Sequence, residues 1–141
     1  MVGMEVSDSP VNRDLLAYLR ANATRGTGGP YEQDGWQLHT HPDLIERLGE
    51  IARSDRAVVP LYGYVVLEQR GVAVVAAISM HHLLFRLPTP PDGVEAASPI
   101  DPLCDRGWHA VHAWASDLGR LTRLVKEARQ HGNTLAARSE S

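Results

Sequence analysis

The chain has a single cysteine and a single lysine among 141 residues, and each scarcity closes off a class of protein. Cys104 alone cannot form a disulfide within the chain, and one copy cannot build a thiolate zinc cluster from it. It lies in Pro99-Ile100-Asp101-Pro102-Leu103-Cys104-Asp105, where the adjacent acid disfavours the thiolate, so no nucleophile is expected there. With Lys126 the only lysine, the basic residues are almost all arginine, a skew that coding bias also produces. The formal net charge of −3 lacks the basic excess of a domain built to wrap nucleic acid. No stretch approaches the roughly 20 apolar residues of a membrane span. Met1-Val2-Gly3-Met4-Glu5 has no basic region followed by an apolar run, so no signal peptide is expected and a cytoplasmic protein is.

What is present is a clear core, between Val58 and Leu87. The chain is apolar from Leu61 to Leu67, breaks at Glu68-Gln69-Arg70-Gly71, and is apolar again from Val72 to Met80. It then turns through His81-His82 into Leu83-Leu84-Phe85-Arg86-Leu87. β-branched and aromatic residues between a glycine break and a second turn predict a three-stranded antiparallel meander. Val72 to Ile78 is apolar at consecutive positions, which predicts a middle strand covered on both faces. Trp108 to Trp114 reads as a fourth strand.

Helices are expected on either side. Ser9-Pro10 is a cap followed by proline in a first turn, and Val11, Leu15 and Leu19 form one apolar stripe, giving a helix over about 10–23. Thr40-His41-Pro42-Asp43 is a second cap pattern, followed by Leu44, Ile45, Leu48, Ile51 and Ala52 on one face. A short strand is expected around Trp36-Gln37-Leu38. Ser116-Asp117 caps a last helix over 117–130, with Leu118, Leu121, Leu124, Val125 and Ala128 inward and a stop at His131-Gly132. Five of the nine prolines fall between Pro88 and Pro102, predicting a long connection with at most a helical turn near Val94–Ala97. The expectation is one α+β domain over 10–131: a meander of about four strands packed with N-terminal and C-terminal helices. Residues 1–9 and 132–141 read as flexible ends.

Six of the seven histidines come in close pairs: His39 with His41, His81 with His82, and His109 with His112. Two positions apart on an extended segment, His39 and His41 share a face and are candidate ligand or metal residues, with His112 beside them. Adjacent His81 and His82 diverge and read as a solvated turn, while His109 and His112 fall on opposite faces of a strand. A full metal site is not expected, no cofactor is implied, and no catalytic residue can be named. Gly26-Thr27-Gly28-Gly29-Pro30 lacks the lysine of a phosphate loop and follows a helix instead of a strand. Arg120, Arg123, Lys126 and Arg129 line the outer side of the last helix, a face able to meet an anionic partner. Trp36, His81, His82, Arg120 and Arg123 are the candidate partner-contact residues, together with Trp108 and Trp114 and the edge of the meander.

The run Leu61-Tyr62-Gly63-Tyr64-Val65-Val66-Leu67-Glu68-Gln69-Arg70-Gly71-Val72-Ala73-Val74, with Leu83-Leu84-Phe85-Arg86-Leu87 after it, resembles the small bacterial domains typified by the TfoX N-terminal domain and the YjbR (MmcQ)-like proteins. The similarity covers about residues 61–130 and rests on hydrophobic pattern and turns. Met80-His81-His82 and the proline-rich insert depart from it. The resemblance implies a small α+β binding or regulatory domain with no catalytic set, linked to protein partners or DNA. Three functions follow as expectations: a protein-contact module, self-associating as a homodimer; a small enzyme or ligand-binding protein with a histidine-lined pocket; and nucleic-acid binding through the basic last helix, which the net charge disfavours.

Overall fold

The computed structural model describes residues 10–23, 31–33, 36–38, 40–52, 58–61, 64–78, 82–89, 107–114 and 117–140. After a 3-10 turn at Pro10–Asn12 come α1 (Arg13–Ala23), a small hairpin of β1 (Tyr31–Gln33) and β2 (Trp36–Leu38), and α2 (Pro42–Ala52). Next are β3 (Val58–Leu61), β4 (Tyr64–Gln69), β5 (Val72–Ile78), β6 (His82–Arg86), β7 (Trp108–His112) and a long α3 (Leu118–Glu140). The last five strands form one antiparallel sheet in chain order, β3-β4-β5-β6-β7. The α+β meander with helices at both ends is as expected, with one strand more, because the apolar run expected as a single strand from Leu61 is two strands, ending and starting on either side of 62–63.

The sheet is the middle layer of three. On one face Leu44, Leu48 and Ile51 of α2, with Leu121, Leu124, Val125 and Ala128 of α3, cover Val65, Leu67, Leu83, Phe85 and Val111. On the other, Leu15 and Leu19 of α1 cover Tyr64, Val66, Leu84, Trp108 and Ala110. Every residue of β5 is buried, as its unbroken apolar run requires. Its alternation is reset once. Leu67 faces Val75 while Glu68 faces Ala73, which leaves Val74 as an extra residue, a β-bulge. The bulge directs both Val74 and Val75 to the α2–α3 side, while Ala73 and Ala76 meet α1.

α3 packs against this bulge through a glycine. A Cβ at Gly132 would lie 2.6 Å from Val74 Cγ1, closer than such atoms approach, and a tight 3.2 Å from Gln69 Cβ. The expected stop at His131-Gly132 is therefore corrected: the helix continues to Glu140, and Ala136 is buried beneath its last turns. Glycine here admits a close approach to the sheet instead of ending the helix.

Three buried polar side chains hold the layers in register. Asn12 donates to the Gly71 carbonyl (2.8 Å) and accepts from the Ala73 amide (2.9 Å), replacing the strand neighbour that β5 lacks at that end. The Thr40 hydroxyl donates to the Ala77 carbonyl (2.5 Å) and accepts from the Val65 amide (3.1 Å), two residues that face each other across β4 and β5. Glu68, a β4 residue and not part of the expected break, accepts from the Gly71 amide at 2.7 Å. The turn itself is only Arg70-Gly71, with φ of 53° and 83°, the two-residue form whose twist suits an antiparallel hairpin.

Candidate functional site

The sheet has two edges, and they differ chemically. β3 carries Pro60, which has no N–H to offer a further strand. β7, Trp-His-Ala-Val-His, has a full set of backbone donors and acceptors and pairs with β6 on one side. Gly107 opposite Leu87 is a hydrogen-bonded position, so by the alternation of the ladder Trp108 and Ala110 turn their N–H and C=O groups to the outer side. Among the described residues no strand follows there.

At the far end of β7 the chain turns and presents Trp114. It and Leu118 are the large hydrophobic residues exposed among those described, each at 43%. The Arg47 guanidinium of α2 lies over the indole, 5.1 Å from the ring centre, and donates to the Ala113 carbonyl at 3.4 Å. Arg47 thereby fixes the ring against the sheet and keeps one face of it toward solvent. Trp108 behaves differently: it is buried at 1% exposure, with Arg86 stacked 5.6 Å from its ring centre. It is a core residue, which corrects its candidacy as a contact.

The histidines are brought together only in part. His82 opens β6 opposite His112 of β7, their ring centres 6.5 Å apart, so it is a strand residue and not the solvated turn expected. His112 accepts the Trp114 amide on Nδ1 at 3.1 Å. His41 accepts the Asp43 amide on Nδ1 at 3.0 Å, and its carbonyl takes the Leu44 and Ile45 amides, so it caps α2. The Asp43 carboxylate is 3.8 Å from the same nitrogen, but an Nδ1 that accepts from an amide is unprotonated, so the cap and not an ion pair describes this contact. In both rings Nδ1 is thus engaged by a backbone amide. Both histidines serve the backbone two residues on, which counts against the ligand or metal role expected of them. Among the described residues no three His, Cys, Asp or Glu converge as a metal group.

Trp36 is placed by its backbone at the start of β2, facing Gln33. His39, His81, Cys104, the glycine-rich 26–30 and the 90–102 part of the proline-rich connection lie outside the described residues. Asp117 caps α3 as expected, its carboxylate taking the Arg120 amide at 2.8 Å. Arg120 is half-buried, so Arg123 and Lys126 are the exposed cations on that part of the helix and the basic face is narrower than expected. No helix among the described residues is long and apolar enough to cross a membrane.

A second feature was not foreseen from the sequence. A cleft of about 520 Å³ lies between the end of β6 at Leu87–Thr89 and the outer half of α3, lined there by Glu127, His131, Thr134 and Arg138. These four recur at intervals of four, three and four, a stripe along one helix face. The spacing is legible only if the helix is carried through Gly132. Burial pulls the His131 ring below the ordinary imidazole range, and the charges of Arg86 and Arg138 act in the same direction. Comparison of the chain with family models, with curated proteins and with solved structures finds no match.

Proposed function

We propose that the chain is a small binding or regulatory module that acts through protein contacts at the β7 edge, with a second copy of itself as the partner. The observation that carries this reading is the asymmetry of the two edges: Pro60 blunts β3, while β7 offers outward backbone groups next to exposed Trp114 and Leu118. An antiparallel strand edge is self-complementary, so a two-fold axis beside β7 would continue the sheet from one copy into the next. Trp114, held by Arg47, supplies the aromatic and arginine pairing typical of the residues that dominate interface energies.

The kinship with TfoX N-terminal and YjbR-like domains belongs to this same proposal, supported by the order of meander, late strand and C-terminal helix. A cytoplasmic setting is part of it too, in keeping with the single cysteine. Amide exchange tests the reading. With rising protein concentration the Trp108 and Ala110 amides should slow together, and Trp114→Ala with Leu118→Glu should abolish that slowing. Exchange at both amides that is independent of concentration rules out pairing at this edge.

A further inference from the structure

We propose that a cleft on the other flank of α3, between that helix, the end of α2 and the end of β4, binds a small phosphate monoester with an apolar body. Its volume is about 390 Å³, and Lys126 and Arg129 line it together with Ile51 and Ala52, the last residues of α2. β4 is three strands from β7, so the site stands apart from the edge reading.

Charge and lining each bear on the class of ligand. Lys126 and Arg129 are three positions apart and lie side by side on α3, close enough to meet one anion together. Neither side chain has an ion-pair or hydrogen-bond partner among the described residues, and no acidic residue among them lines the cleft. By sequence the segment after Ala52 carries Arg53 and Arg56 against Asp55, which does not reverse the sign. The carboxyl end of α2 contributes about half a negative charge, so an anion is held here only by touching both cations directly. A phosphate monoester carries about two negative charges at neutral pH and offers oxygens to the arginine fork and the ammonium at once. A carboxylate fills the fork and leaves Lys126 unmatched. Gln69 Nε2 donates to Asn133 Oδ1 at 3.0 Å, which steadies that carboxamide at the rim with its own N–H groups able to donate to a ligand. Beneath, Ile51, Ala52 and Val125 form an apolar floor, continued by the methylene stems of Lys126 and Arg129, which suits an organic group and not a bare inorganic ion.

The test uses the full chain, isotopically labelled and followed by NMR, with phenyl phosphate as the probe. Phenyl phosphate should shift the Asn133 side-chain amide and the Val125 methyls saturably, with inorganic phosphate and benzoate each weaker by about tenfold or more. Lys126→Ala and Arg129→Gln should each weaken the ester by about tenfold or more, the loss of one charge-assisted contact. Arg123→Gln, exposed on the same helix but outside the cleft, should leave binding unchanged. Lys126 is exposed and Arg129 half-buried, and an unchanged amide spectrum elsewhere verifies the fold of each variant. The proposal is overturned if phenyl phosphate produces no saturable shift. It is overturned equally if Arg123→Gln weakens binding as much as Lys126→Ala, which would reduce the effect to general attraction by the helix. Inorganic phosphate binding as tightly as the ester overturns the apolar body, and benzoate doing so overturns the phosphate.

Discussion

Gly132 and Val74 meet where neither could be larger. An alanine at 132 would place its Cβ against the Val74 methyl, so Gly132→Ala should destabilise the fold by about 1–3 kcal/mol, the usual cost of overpacking. Val74→Ala in the same chain should recover much of that loss, and the pair measured as a double-mutant cycle in urea should couple strongly. Thr40→Val keeps the shape but leaves the Val65 amide and the Ala77 carbonyl without the hydroxyl that bridges them, a loss of about 1–3 kcal/mol read from the same unfolding curves. Two histidines make stability depend on pH. Burial lowers His109, against a hydrogen bond with the Leu87 backbone that raises it, and burial lowers His131 with help from Arg86 and Arg138. As the pH falls, the unfolded chain takes up these protons first. The stability they carry is therefore full above the unfolded imidazole value of 6.5 and is lost as the pH drops through it toward the folded values. Denaturation midpoints measured across that window should fall, and His109→Gln with His131→Gln should flatten the decline.

The elements differ in how much of them the sequence carries. β5 is legible because burial on both faces needs apolar residues at every position, and Val72 to Ile78 supplies them. The starts of α2 and α3 are legible because their caps are local: His41 and Asp117 satisfy amides two or three residues on. The bulge at Val74 leaves no trace in composition, since valine is apolar on either face. Gly132 misleads for the same reason, because a glycine after a run of helix suggests an end, and only contact with the bulge makes it an interior residue. The cleft was hidden behind that ending. The β4–β5 turn shows the reverse case: Glu68-Gln69-Arg70-Gly71 reads as one break, but the strand runs on to Gln69 and the Glu68 carboxylate accepts from the Gly71 amide. Gly71→Ala should cost about 1 kcal/mol by forcing a side chain into positive φ, visible as a lower thermal midpoint.

At the scale of the whole molecule, three layers bury the sheet and leave its two edges to set what can join it. Pro60 closes one edge chemically, and the β7 edge remains with Trp114 and Leu118 beside it. Of the histidines expected to form a ligand site, His41 and His112 are engaged with the backbone: His41 holds the start of α2, and His112 holds the turn that presents Trp114. The basic face of α3 is reduced to Arg123 and Lys126 as exposed cations near Arg120. Retardation of DNA by this chain should therefore be weak, and insensitive to Arg123→Ala at physiological salt. The most direct measurement of the edge-pairing account is sedimentation equilibrium of the intact chain beside Trp114→Ala/Leu118→Glu. The account predicts a dimer for the native chain and a folded monomer, with unaltered secondary structure, for the variant. A native chain that stays monomeric up to the highest soluble concentration contradicts it.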